Sequence, residues 1–198
     1  MNRKNQHDKI LSLALGGILT AVVIVLQLFA SAVKFGPFQV SLVLMPIVIG
    51  AAMCGKGVSA WLGFVFGTVV LLNGDAAAFL AINAPGTVVT VLVKGTLCAF
   101  AAGLVYELVC RKNKTVAVML SAVAAPVVNT GTFLIGCRLF FFETIKQWAS
   151  GAGFENPVMY MFVGLVGLNF VFETALNIVL CPVIVRIINA SKTRHSRK

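Results

Sequence analysis

Long runs of apolar residues occupy most of the chain and leave it few ways to fold. Four runs, at residues 10–30, 86–109, 115–142 and 157–188, are long enough to cross a bilayer, which takes about 20 mostly apolar residues in a helix. Two shorter runs, 40–54 and 58–72, are separated only by Gly55-Lys56-Gly57, a stretch that suits a tight turn. Hydrocarbon offers backbone N–H and C=O groups no water, so a spanning segment must satisfy them internally as a helix. The chain is 59% hydrophobic and 11% charged, whereas an ordinary globular domain is about 45–50% apolar and about 25% charged. That leaves too little polar surface for a soluble particle, and lipid must supply the missing contact. The expected fold class is an all-α integral membrane protein with six transmembrane helices in one bundle. The first run exceeds the apolar core of a signal peptide and is read as a retained helix.

The formal net charge is +10. The basic residues lie at the two ends and in short turns, with no basic face interleaved with aromatics, so nucleic acid is not an expected partner. With the N-terminus inside, twelve of the sixteen Lys and Arg residues fall on the cytoplasmic side, as the positive-inside rule requires. Lys34 and Lys146 then lie in outer loops, and Lys94 and Arg138 within spans. Both termini are therefore expected in the cytoplasm, where the basic charge meets anionic lipid. The organisation expected is a tail at 1–9, a six-helix membrane domain at 10–188 and a basic tail at 189–198. Asn73-Gly74-Asp75 reads as a turn, 76–82 as a short interfacial or re-entrant piece, and 32–39 and 143–156 as outer loops. Trp148 in the last of these is either an interface anchor or part of a lid.

Small residues recur at spacing four: Ser12, Gly16 and Thr20; Ser59, Gly63 and Gly67; Gly95, Ala99 and Gly103; Ala117, Ser121 and Ala125. Such seams let helix backbones approach closely in lipid, either inside the bundle or against another protein. Polar groups inside spans are costly and mark sites by default. Asn169, Glu173 and Asn177 share one face of the last span through their spacing of four. Lys94 either balances Glu173 or meets an anionic group of a ligand. Asn129 and Thr130 follow Pro126 by one turn, where local hydrogen bonding is loosened. Arg138 either snorkels to the interface or points inward as an anion clamp.

No catalytic or metal constellation emerges. Residues 50–56 match G-x-x-x-x-G-K, but Gly57 stands where the magnesium-binding hydroxyl belongs and no strand precedes the stretch. The five cysteines form no C-x-x-C pair, and His7 and His195 lie in the polar tails, so neither a metal site nor a cofactor is expected. Any ATP hydrolysis would come from separate subunits. An autonomous secondary transporter or channel using Glu173 is the alternative reading, and a membrane enzyme the weakest.

Several stretches resemble the substrate-binding S components of energy-coupling factor (ECF) transporters. These are the opening, from Lys9 to Ala21; Ala78-Phe-Leu-Ala-Ile-Asn83-Ala-Pro-Gly, which leads to Val93-Lys94-Gly95; and Val127-Val-Asn129-Thr130-Gly131. The last two are similar to the pantothenate- and folate-type branch. The resemblance implies a multi-pass protein of a bacterial plasma membrane that captures a small water-soluble vitamin near the outer face. It further implies docking on a transmembrane coupling subunit served by two ATPases, with the S component toppling to deliver its ligand. Gly17 and Ala21 stand at the spacing of the family's docking pair, with glycine in place of the first alanine. The substrate-binding candidates are Asn83, Lys94, Asn129, Thr130, Arg138, Asn169, Glu173 and Asn177.

Overall fold

The computed structural model describes residues 3–32 and 42–195. The expected outer loop at 32–39, with Lys34, lies almost wholly outside the described residues, as do the ends of both tails. Among the described residues every regular element is helical. The elements are α1 (Arg3–Ala32), α2 (Leu44–Cys54), α3 (Lys56–Leu72), α4 (Ala77–Leu80), α5 (Ala84–Val109), α6 (Lys114–Phe140), α7 (Phe142–Gly151), α8 (Pro157–Tyr160), a π-helical turn (Met161–Leu165) and α9 (Gly167–His195). The helices α1 and α9 thus run on into the sequences expected to be tails.

Four segments are long and apolar enough to cross a membrane: Lys9–Ser31, Ala84–Val109, Lys114–Phe140 and Gly167–Ile188. The other two expected spans form apolar helices of 11 and 17 residues. The first of them starts at Leu44, and residues 40 and 41 lie outside the described residues. The last expected span is not continuous from residue 157. It is broken by the π turn and Val166 before α9 begins. The stretch 143–156 is mostly helix α7 instead of an open loop. Leu13, Leu72 and Val179 expose 78, 81 and 71% of their surface, an exposure that hydrocarbon tolerates and water penalises.

Local chemistry sets the helix boundaries. Gly55 makes the sharp α2–α3 turn at φ 86°, a backbone conformation that suits a residue without Cβ. Asn83 caps α5 by accepting from Gly86 N at 3.0 Å, with Pro85 in the first turn. Asn113 caps α6 by accepting from Thr115 N and Val116 N. The helix α6 continues through Pro126 without a break.

Close backbone crossings hold the bundle. The helix α5 packs along α3 on one side and α6 on the other. The small seams of α3 and α5 meet each other: a Cβ on Gly63 would lie 2.1 Å from the carbonyl oxygen of Gly95, and one on Gly67 2.8 Å from that of Val91. Ser59 Oγ donates to the carbonyl of Ala99 at 2.7 Å across the same seam. At the end that holds the N-terminus of α1, Lys56 pairs with Glu107 at 3.1 Å. The seam on α1 divides. Gly16 is buried against Val58, whereas a Cβ on Gly17 would meet nothing within 4 Å.

Candidate functional site

A cavity of about 200 Å³ opens at the other end of the bundle. It lies among the C-terminal parts of α1, α3 and α6 and the N-terminal parts of α5 and α9. Helical periodicity explains which side chains reach it. Thr87, Thr90, Val91 and Lys94 follow one face of α5, Asn129, Thr130 and Phe133 one face of α6, and Asn169 and Glu173 one face of α9. Gln27 comes from α1, Asp75 from the α3–α4 turn, and Phe79 from α4.

The apolar part of the wall is aromatic. Phe79 sits edge-on to Phe133, Phe141 and Trp148, with centroids 5.6, 5.0 and 5.6 Å away, a favoured geometry for ring pairs. Trp148 backs a ring that lines the cavity.

The polar part is held by a network at the α1 end. Gln27 Nε2 donates to Asp75 Oδ2 at 2.9 Å, Ser31 Oγ donates to the same oxygen at 2.5 Å, and Asn73 Nδ2 donates to Ser31 Oγ at 2.6 Å. The backbone N–H of Asp75 donates to Asn73 Oδ1 at 3.1 Å. Three other side-chain atoms of wall residues are buried with no hydrogen-bond partner among the described residues: Gln27 Oε1, Thr90 Oγ1 and Asn129 Oδ1. They come from three different helices, and their residues are only 3, 5 and 8% exposed. An unmet buried acceptor or hydroxyl is costly, and native proteins seldom leave several together without a use. Lys94 forms no ion pair among the described residues, and its ammonium stands 5.2 Å from the centroid of Phe133. Glu173 and Asp75 both act on its charge from a distance.

Five of the eight sequence candidates line this cavity: Lys94, Asn129, Thr130, Asn169 and Glu173. Three do not. Asn83 spends its side chain on the α5 cap. Asn177 is buried one turn further along α9, outside the wall. Arg138 is exposed, with its guanidinium 3.8 Å from the ring centroid of Phe142. The inward clamp therefore gives way to a cation stacked on an aromatic ring outside the cavity. Gln27, Asp75, Thr87 and Thr90 escaped the sequence reading. Gln27 carried a signal, since an amide inside an apolar span marks a site by the same rule that picked out Glu173.

Gly17 and Ala21 lie away from the cavity, on the exposed face of α1. No curated protein and no solved structure matches the chain. The family model described as the substrate-specific component of ECF transporters matches residues 11–185, and the chain belongs to that family.

Proposed function

We propose that the chain is the vitamin-capturing subunit of an ECF importer and that the cavity holds its solute. The observation that carries this is the gathering of Lys94, Gln27, Thr90, Asn129, Asn169 and Glu173, from four helices, in the wall of one cavity. A solute with a carboxylate would take Lys94 through a charge-assisted hydrogen bond, and its neutral polar groups would meet Gln27, Thr90 and Asn129. Its apolar part would lie against Phe79, Phe133 and Phe141. These features suit the pantothenate- and folate-type branch. Asn169, Thr130 and Glu173 complete the polar wall in this reading.

Six membrane helices follow if α2 and α3 each cross or nearly cross the bilayer as paired short helices. The end with Lys56, Arg111, Lys112, Lys114 and Arg186 then faces the cytoplasm and the cavity faces outward. The exposed face of α1 at Gly17 and Ala21 is where a coupling subunit would dock, because small residues at spacing four permit close and reversible approach between the exposed Leu13 and Ile18. Two ATPase subunits would supply the energy, and toppling of the whole subunit would carry the solute inward.

Native mass spectrometry of the purified protein tests the capture, and coexpression with a coupling subunit and its ATPases tests the assembly. The expected results are one small molecule retained per chain and a stable complex. Solute transport by the reconstituted chain alone, with a dependence on pH, would favour an autonomous carrier using Glu173 and overturn the proposal.

A further inference from the structure

We propose that the corner between α6 and α7 binds an anionic phospholipid, with Arg138 taking the phosphate and the outer ridge of α6 taking an acyl chain. Arg138 stands in the last turn of α6, where the negative end of the helix favours a cation. Its guanidinium carbon lies 3.8 Å from the ring centroid of Phe142, and Lys146 Nζ lies 4.9 Å from the same centroid. Two cations crowd one ring. Glu143 pairs with Lys146 at 2.8 Å and offsets one of the charges. Arg138 forms no ion pair and no hydrogen bond among the described residues. Stacking on a ring occupies the face of a guanidinium and leaves the N–H donors in its plane unspent. The corner keeps one positive charge in excess and a fork of donors, which match a phosphate diester.

The surface beside this charge is apolar and open. Val127, Gly131, Ile135 and Leu139 follow one another at spacing four and form a ridge of α6. Val127, Ile135 and Leu139 are exposed, and a Cβ on Gly131 would meet nothing within 4 Å, so no other helix covers the ridge. Arg138 adjoins Ile135 at spacing three. A headgroup held at Arg138 would set an acyl chain along the ridge, with a shallow step for it at Gly131. A free phosphate ester would leave the ridge bare. Arg138 belongs to the apolar segment Lys114–Phe140 and lies near its end, where a long basic side chain reaches the headgroups. A zwitterionic lipid also carries a phosphate, but it brings a quaternary ammonium to a corner with surplus positive charge, so an anionic headgroup is favoured. Arg138, Phe142 and Lys146 lie outside the cavity wall, and lipid binding is separable from solute capture.

The test uses the full chain, stripped of lipid in detergent micelles and titrated with phosphatidylglycerol or with phosphatidylcholine of the same acyl chains. Native mass spectrometry counts the bound lipid and gives a Kd for each. Phosphatidylglycerol should bind the unaltered chain at least about fivefold tighter than phosphatidylcholine. Arg138→Ala should weaken phosphatidylglycerol by about tenfold, and Arg138→Lys by less because it keeps the charge. Lys146→Ala should weaken it by about fivefold. Arg111→Ala, in the exposed basic turn at the other end of the bundle, should stay within about twofold because salt screens a charge that far away. If Arg138→Ala retains phosphatidylglycerol as the unaltered chain does, or the two lipids bind equally, the proposal is overturned. An equal loss in Arg111→Ala would mean a general attraction of a basic protein for anionic lipid and would overturn it too. So would displacement of the lipid by an equal concentration of glycerol 3-phosphate, which would assign the corner to a free phosphate ester. The comparison of the two lipids on the unaltered chain stands even if a variant does not fold.

Discussion

Gly63→Ala should loosen the frame on which the cavity is built. The new Cβ would stand 2.1 Å from the carbonyl oxygen of Gly95, 2.5 Å from the Cβ of Ala99 and 2.8 Å from the carbonyl carbon of Gly95. Real Cβ contacts stay beyond 3.0 Å, so α3 and α5 must part by about 0.9 Å at the crossing. Two of the three obstructing atoms are backbone and cannot rotate aside. One turn away, Ser59 Oγ and the carbonyl of Ala99 are 2.7 Å apart. The same displacement would carry that pair to the limit of hydrogen bonding. Overpacking costs about 1–3 kcal/mol, and a lost interhelical hydrogen bond in lipid about 0.6 kcal/mol. The better helix propensity of alanine returns about 1 kcal/mol. The net loss is about 0.6–2.6 kcal/mol. Thermal unfolding of the purified protein in micelles measures it, with Gly17→Ala and Gly131→Ala as controls because a Cβ on either would meet nothing within 4 Å. Lys94 adjoins Gly95, so Gly63→Ala should also weaken carboxylate binding. Equal melting of Gly63→Ala and Gly17→Ala would refute the account of α3 and α5 as a rigid frame.

Lys94→Gln should weaken pantothenate by about 10- to 100-fold and pantothenol by far less, since only the charged hydrogen bond is lost; parallel titration of both compounds checks this. Asn83→Ala should cost about 1 kcal/mol of stability in a melting experiment by removing the α5 cap, without a change in Kd beyond about twofold. Arg138→Ala should leave solute binding within about twofold, because an exposed side chain outside the wall cannot clamp a ligand; calorimetry on the variant settles it. Gly17→Leu should reduce copurification with a coupling subunit while melting and solute binding stay as in the unaltered chain.

Most of the fold was legible because hydropathy registers the solvent, and lipid is the solvent for most of this chain. The four long spans followed directly from their apolar runs. The start of the last one did not, because Pro157 to Leu165 is as apolar as the helix beyond it and hydropathy carries no sign of the π-helical turn that ends at Leu165. The small seams of α3 and α5 announced a close contact, but spacing alone could not say that they meet each other while the Gly17 side of α1 meets nothing. The wall of the cavity was half legible. Lys94, Asn129 and Glu173 stood out as polar groups in apolar runs. Thr87 and Thr90 did not, since a threonine in a membrane helix usually bonds its own backbone. Thr87 does so, through the carbonyl of Asn83 at 2.8 Å, and Thr90 does not. Arg138 and Asn83 were misplaced for a common reason: each has a local partner, a neighbouring ring or a helix start, and local partners satisfy polar groups before a distant cavity can.

The helix α1 carries two demands that its period keeps apart. Gly16, Val23, Gln27 and Ala30 are buried on one side, and Leu13, Gly17, Ile18 and Ala21 are exposed on the other. Gln27 is tied to Asp75, and Thr20 accepts from Trp61 Nε1 at 3.3 Å, so the helix is fixed to α3 at one height and to the turn after α3 at another. Ten residues separate Gly17 from Gln27, about 15 Å along the axis. Changes more than about 7–10 Å apart with no shared partner usually add. A solute-binding defect from Gln27→Met and a docking defect from Gly17→Leu should therefore appear together, undiminished, in the double variant. If instead the double variant departs from the sum by more than about 0.5 kcal/mol in either measurement, then α1 transmits between its faces. Occupancy of the cavity and engagement of the outer face would then have to be treated as one linked equilibrium, because a coupling of that kind acts equally in both directions.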